Sequence, residues 1–360
     1  MENQCLSGDI RKRHWRTTEG TLLEIIRIRS IFLSLTFVLI FVQMSLGVEK
    51  VSSRPFHLRV VSLPHLSFAP FYIAEEERFF KEQGLQVEFV RMDVAVQAVP
   101  ALIRGDLHVM GETTIFPNYL NAIARGAKLR IVADKGYLSS TGCTYSAIVA
   151  RRLLVEEGKL GTLSQLKGRR VATSQASAIA MYYLERLLSQ VGLTTADMET
   201  VILPALARFE AMERGAIDIM NATEPWLTQM QQAGYAVIWK PVQEFIPNFQ
   251  HAVLLFGPTL LAERADIGKR FMVAYLKAVR QFNLGKTGRN LEIVSKHTGL
   301  DQGLLKKCCW PAFQPHGQIN VQSLVDYQSW AIRKGFLDRE VPPDQFWDPS
   351  FVEYATQMLK

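Results

Sequence analysis

Four short stretches carry polar and aromatic side chains at comparable stations along the chain. They are His65, Ser67 and Phe68 in PHLSFAP, Glu112, Thr113 and Thr114 in GETT, Gln175 and Ser177 in SQASA, and Asn221, Glu224 and Trp226 in NATEPW. Tyr145 opens an apolar run, YSAIVA. Together these groups offer hydrogen-bond donors, acceptors and aromatic faces, the equipment for holding a small organic molecule. Tyr145, Trp226 and Phe116 could stack on a flat ring. If Glu112 and Glu224 both face a cleft, two carboxylates disfavour an anionic ligand and suit an amine, an amidine-like group or a ring N–H. Each has a plainer reading as an acid at a helix N-terminus, favoured for Glu224 because Pro225 follows it. His65 likewise reads equally well as a loop histidine bonded to backbone. No catalytic residue, metal ligand or cofactor is assigned among these residues.

The elements that must position these residues alternate. In the first half, apolar runs at Leu58–Leu63, Leu85–Met92, Asp106–Met110 and Leu129–Ala133 read as strands. Helical patterns separate them, the first ending at Gly84 and the others covering Ala95–Arg104 and Ile115–Ala124. The second half repeats the order. Strands at Arg170–Thr173, Thr200–Leu203, Ala216–Met220 and Ala236–Trp239 alternate with helices at Ile179–Val191, Arg208–Arg214 and Glu224–Gln232. Such alternation predicts an α/β protein with parallel sheets flanked by helices. In parallel sheets ligands sit beyond the carboxyl ends of the strands, and all four polar stretches follow a strand and lead into a helix.

The two halves also share wording. RGDLHVM at residues 104–110 returns as RGAIDIM at residues 214–220, an offset of 110. Arg59-Val60 matches Arg170-Val171, and Tyr72 matches Tyr183, both at an offset of 111. Three landmarks in one element order predict a structural duplication. Two further apolar strands, Tyr145–Ala150 and His251–Phe256, flank the second copy and read as crossings between two lobes. The expected division is residues 54–144 plus 251–360 for lobe one with its C-terminal helices, and 145–250 for lobe two. The stripe Phe271, Tyr275, Ala278 and Phe282 marks a long helix, and the C-terminal helices are expected to wrap back on lobe one.

The pieces APFYIAEEERFFKEQGLQVE, ALIRGDLHVMG, LSQLKGRRVATS and AMERGAIDIMNATEPW, in that order, resemble the solute-binding proteins of ABC importers for nitrate, sulfonates, taurine and thiamin-pyrimidine precursors. The resemblance covers about residues 57–360. It implies a two-lobed periplasmic-binding-protein (Venus-flytrap) fold that closes on a small-molecule ligand. It also implies a permease and an ATPase as membrane partners, no enzymatic activity and a monomer. Two departures stand out: EEERFF where the family usually has a Gly before Phe-Phe, and His108 where Asp is usual. A thiamin-pyrimidine synthase shares this fold and is the enzyme alternative. Its Cys-rich cluster would fall where this chain reads QHAVLLFGP. The side chains favour a heteroaromatic ligand such as a thiamin-pyrimidine precursor, with an alkanesulfonate, taurine or nitrate as the alternative.

Bulk properties narrow the classes further. A hydrophobic content of 48% and a charged content of 21% are ordinary for a globular protein. The formal charge of +7 is scattered, with no basic stripe interleaved with aromatics, which argues against nucleic acid. Residues 1–47 have the grammar of a signal peptide: a basic segment, the uncharged run Ile31–Val42, then Ser45-Leu46-Gly47. The mature chain is thus expected outside the cytoplasm, released by cleavage or held by an uncleaved anchor. Cys5 falls in that segment, and Cys143, Cys308 and Cys309 form no readable disulfide framework. Cys308 and Cys309 lack zinc-site spacing and are read as thiols in a helical region. Arg104-Gly105-Asp106 lies at a helix-to-strand joint, and GKTGR at 285–289 lacks P-loop spacing.

Overall fold

A computed structural model describes residues 55–92, 95–111 and 117–360. The expected leader or anchor, and Glu112, Thr113, Thr114 and Phe116 from the sequence reading, lie outside the described residues.

Twelve strands are described: β1 (Phe56–Ser62), β2 (Leu85–Arg91), β3 (Val109–Gly111), β4 (Arg130–Asp134), β5 (Tyr137–Leu138), β6 (Ser146–Arg151), β7 (Arg170–Thr173), β8 (Glu199–Ile202), β9 (Ile219–Thr223), β10 (Ala236–Pro241), β11 (Phe249–Gln250) and β12 (Val253–Phe256). They form two five-stranded sheets, ordered β2-β1-β3-β12-β4 and β8-β7-β9-β6-β10, and a short ribbon of β5 and β11. The two orders match strand for strand.

Each sheet is mixed rather than purely parallel. β1 runs parallel to β2 and β3, and β7 runs parallel to β8 and β9. The fourth strand is antiparallel in both: β12 against β3 and β4, β6 against β9 and β10. The reason is connectivity. β6 leaves the first half of the chain and enters the second sheet where β9 ends, pairing Ser146 with Thr223. β12 does the converse, pairing Leu254 with Gly111 at the end of β3. Each half therefore lends one strand to the other's sheet.

The repeated phrase builds the same joint twice. Gly105 and Gly215 take φ of +78° and +71°, the left-handed conformation that closes a helix and that a side chain would strain. Asp106 N and Ala216 N then donate to the carbonyls of Ala101 and Ala211, at 2.9 and 2.8 Å. Val60 pairs with Val109, and Val171 with Ile219.

The apolar strand faces feed one continuous core. It runs from Val61, Leu102, Tyr119 and Ile131 through Leu138 and Phe249 of the ribbon to Ile148, Tyr182 and Leu184. The outer faces have separate cores. That of the first sheet is closed by the helix Ala265–Phe282, whose stripe Phe271, Tyr275, Ala278 and Phe282 is buried as the periodicity predicts. Each large apolar side chain so buried contributes about 1.5–3 kcal/mol. Not every C-terminal helix returns to the first sheet. Tyr327 and Trp330 of the helix Val321–Arg333 pack on Tyr182 of the helix Ile179–Leu188.

Cys309 corrects its reading as a free thiol: it forms a disulfide with Cys143, 166 residues away, with Cα atoms 5.6 Å apart. Among the described residues Cys308 is the free cysteine, buried beside it. Nothing in local spacing announces a bridge between positions that only the tertiary fold brings together.

Candidate functional site

The loops at the carboxyl ends of the strands converge where the crossing segments pass between the sheets. After β1, Pro64–Ser67 turns sharply into a helical segment. His65 Nδ1 caps it, accepting from the Ser67 N–H at 3.2 Å. The same nitrogen lies 3.1 Å from Ser67 Oγ, and Lys135 Nζ donates to that oxygen at 3.1 Å. The resulting order is Lys135 to Ser67 to His65, with the Ser67 hydroxyl donating a hydrogen bond to the unprotonated Nδ1. Lys135 is buried and stands 3.6 Å from the centroid of the Phe68 ring, a cation–π contact. Gly111 makes room for it: a Cβ there would come within 2.6 Å of Lys135 Cε.

Lys135 lies in the turn between β4 and the ribbon. Asp134 before it accepts from Gly136 N at 2.8 Å, Gln250 Nε2 at 2.6 Å and Gln314 N at 2.7 Å. These bonds tie both crossing segments to the C-terminal part of the chain. Burial outweighs them and pushes the Asp134 carboxyl up to about 6.

The second crossing adds His251, 2% exposed. Its Nδ1 is 2.9 Å from the hydroxyl of Tyr183, on the helix Ile179–Leu188, while its Nε2 is buried without a hydrogen-bond partner. Tyr145, on the first crossing, meets the His251 ring edge-on at 5.8 Å. The Tyr145 hydroxyl is also buried without a close hydrogen bond, with Thr223 and Ser67 as polar neighbours. Both histidines are held neutral. Burial, then the Lys135 charge, lowers His65 to about 4. Burial, then His65 and Lys135, lowers His251 to about 3. By surface area His65 is only half-buried, but its ring is packed deeply enough for burial to dominate.

Glu224 stands next to this cluster, and its carboxylate is committed internally. Its oxygens accept from Thr228 N at 3.0 Å, Thr228 Oγ1 at 2.8 Å and Cys309 N at 3.1 Å. This is the helix-end role that the sequence left as the plainer reading, extended by a bond to the disulfide-bearing segment. The neighbouring Cys308 thiol is pushed up to about 11 by burial and by Glu224, far from thiolate reactivity.

The remaining expected residues are more dispersed. Asn221 lies within β9, its amide donating to Ser146 Oγ and the Ala147 carbonyl at 3.0 Å each. Gln175 and Ser177 are tied through backbone carbonyls, to Thr173 Oγ1 and Tyr327 Oη. Trp226 stacks on Phe209 at 4.3 Å. The structure thus gathers His65, Ser67, Phe68 and Tyr145, adds Lys135, Tyr183, Thr223 and His251, and turns Glu224 inward. Lys135 could have been found: it follows a strand, as the other loops do. His251 was read only as the start of a strand.

Two cavities, of about 390 and 310 Å³, lie away from this cluster. One is lined by residues such as Lys128, Arg130 and Asp348, the other by Val201, Ala207 and Ile217. Neither collects the converging polar groups, so volume is a poorer guide here than unsatisfied chemistry. Among the described residues no group of three or more His, Cys, Asp or Glu could hold a metal ion.

Comparison with solved structures identifies the architecture. The ligand-binding component of an ABC-type import system from Staphylococcus aureus, with zinc bound, superposes with a TM-score of 0.68 at 15% identity, covering 83% of this chain and 99% of that one. The alkanesulfonate-binding protein SsuA from Xanthomonas axonopodis pv. citri, bound to MOPS, gives 0.64 at 18% identity, covering 82% and 99%. The desulfurization enzyme DSZB gives 0.60 at 14% identity, covering 85% and 100%. These likenesses establish the fold, the two-lobed periplasmic-binding-protein architecture. A direct comparison with curated protein sequences finds no match. A family model described as NMT1/THI5 like matches residues 65–282, more than half of the chain, and the protein therefore belongs to the NMT1/THI5-like family.

Proposed function

We propose that the protein is an extracytoplasmic solute-binding protein. It captures a small organic molecule between lobe one, residues 54–144 plus 251–360, and lobe two, residues 145–250, and delivers it to the permease and ATPase of an ABC importer. It acts as a monomer and reaches the outside of the cytoplasm through the leader or anchor of residues 1–47.

The observation that carries the ligand site is the pair of unpartnered buried polar atoms, His251 Nε2 and Tyr145 Oη, on the two crossing segments. A buried polar atom left unbonded costs about 1–3 kcal/mol, so a ligand that bonds both removes that cost. His65, Ser67 and Thr223 complete the polar lining. Phe68, Tyr145 and Tyr183 supply ring faces. Neutral imidazoles and tyrosines beside aromatic rings support a heteroaromatic ligand, of which a thiamin-pyrimidine precursor is the leading example. An alkanesulfonate, taurine or nitrate is the competing ligand class.

The enzyme alternative has less support. DSZB shows that the fold admits catalysis. The free thiol among the described residues, Cys308, is buried and raised to about 11, the opposite of an activated nucleophile.

The test is a thermal-shift screen of the protein against aminopyrimidines, alkanesulfonates, taurine and nitrate. A ligand that binds only the native state adds RT ln(1 + [L]/Kd) to stability, about 2.7 kcal/mol at a hundredfold excess over Kd. Stabilisation by a pyrimidine, lost in His251→Ala and Tyr145→Phe, is the expected result. No stabilisation by any compound, together with turnover of a candidate substrate, would replace binding by catalysis.

A further inference from the structure

Arg208 lies in the first turn of the helix Ala205–Glu213, which begins just after β8 ends. β8, β7 and β9 run parallel, so this helix starts at the same end of the second sheet as Thr223 and Glu224. Side chains on a helix lean toward its N-terminus, which carries the Arg208 guanidinium toward that end. Its neighbour Phe209 stacks on Trp226, two residues beyond Glu224, so the helix is anchored beside the candidate site.

Arg208 forms no ion pair among the described residues, and its Nε is buried with no acceptor. Desolvation, with no compensating charge, lowers its pKa. The other arginines of this sheet have a counter-charge: Arg151, whose Nε is likewise buried without an acceptor, and Arg170 both bind the Asp218 carboxylate, at 3.3 and 2.8 Å. A half-buried guanidinium without an anion is unfavourable unless something else supplies one.

We infer that Arg208 is a specificity-determining residue that binds an acidic group of the ligand, a carboxylate or sulfonate, while the ring of the ligand occupies the His251 and Tyr145 end of the site. This inference rests on the solute-binding reading and narrows it to ring compounds that bear an acid. Arginine suits the task because its planar fork of N–H donors matches an oxyanion with two parallel bonds. It also changes the electrostatic expectation from the sequence. With Glu224 bonded to Thr228 and Cys309, lobe two offers a cation at its rim rather than an open carboxylate.

Matched pairs test this at constant ionic strength: nicotinate against nicotinamide, and benzenesulfonate against benzenesulfonamide. The expected result is a larger thermal shift with the acid of at least one pair in the wild type. That difference should disappear in Arg208→Gln and persist in part in Arg208→Lys. The unliganded Arg208→Gln protein should melt no lower than the wild type, since it loses a desolvated charge without losing a bond. Equal shifts from acid and amide, an acid preference that survives in Arg208→Gln, or no response to any of the four compounds would each overturn the inference. Any of these leaves the broader solute-binding reading to be decided by the wider screen.

Discussion

The two copies of the repeated unit solve one structural problem with different chemistry. In the first copy the Arg59 N–H donates to His108 Nδ1 at 2.9 Å; in the second the Arg170 N–H donates to Asp218 at 3.0 Å. The return bonds, His108 N to the Arg59 carbonyl and Asp218 N to that of Arg170, are both 2.9 Å. The bracket that joins the central strands is thus the same, while the acceptor is an imidazole in one and a carboxylate in the other. Asp218 also binds the side chains of Arg151 and Arg170. His108 is half-buried and has Arg59 beside it, which lowers its pKa further after burial. A backbone bracket needs only an acceptor; the charge is a separate choice, and the second copy uses it to hold two arginines.

The largest expected effect comes from breaking the charged version. Asp218→Ala leaves two guanidinium groups without their counter-charge, although Arg170 keeps its bond to the Gly215 carbonyl, and leaves the half-buried Arg170 N–H without its acceptor. Its cost is about 3 kcal/mol, the low end for a broken buried pair because both arginines keep some water contact. Chemical denaturation measures it, and a loss no greater than that of His108→Ala would erase the contrast between the copies. Next is Gly111→Ala, in the first copy, where the new Cβ must displace Lys135 from a packed site. Overpacking of this kind costs about 2 kcal/mol and should also weaken ligand binding through Ser67 and His65, as a titration of the best ligand would show. The corresponding change in the second copy, Asn221→Ala, only removes two bonds inside the sheet and should cost about 1 kcal/mol without altering affinity. Smallest is His108→Asp, which restores the acceptor type of the second copy and faces Arg59. Its effect on stability in chemical denaturation should be near zero, within about 0.5 kcal/mol, because the Arg59 side chain keeps its contact with water. A large gain would mean that the charge matters equally in both copies.

Acidity separates the regions in another way. His65 and His251, beside the first sheet, have folded pKa values of about 4 and about 3, below the unfolded value of 6.5. The unfolded chain therefore binds their protons first, and stability falls as pH drops from about 6.5 toward 4. Asp134, raised to about 6, acts in the opposite sense between about 6 and 3.8, but it is one group against two. The melting temperature should decline over this window, and His251→Asn should flatten the decline. An unchanged slope in the variant would show that the acid response arises elsewhere.

Much of the fold was legible because it is periodic and local. The strand and helix order, the glycine-closed joints and the duplication follow from alternation and from φ values that glycine tolerates. The candidate site was legible where a polar loop follows a strand, as with His65, Ser67 and Phe68, and where an aromatic opens a crossing strand, as with Tyr145. It was not legible where a residue has two plausible partners. Glu224 could face a ligand or cap a helix, and the choice depends on Thr228 and on Cys309, 85 residues away in sequence. Lys135 has the legible signal, a place just after a strand, but its role comes from Ser67 and Phe68, distant in sequence; His251 has none, because a strand pattern says nothing about an unpaired ring nitrogen.

The amino-acid sequence by itself determined the two halves, their shared joint and the kind of residue at each strand end, because these rest on local conformation and burial. The tertiary structure alone decided that the two crossing strands pair antiparallel, β6 against β9 and β12 against β3, and that Cys143 meets Cys309. It also decided that Glu224 turns inward while Arg208 and His251 keep unpartnered polar atoms. Those outcomes depend on which distant groups share a small volume, and there the competition for hydrogen bonds and counter-charges is settled by geometry.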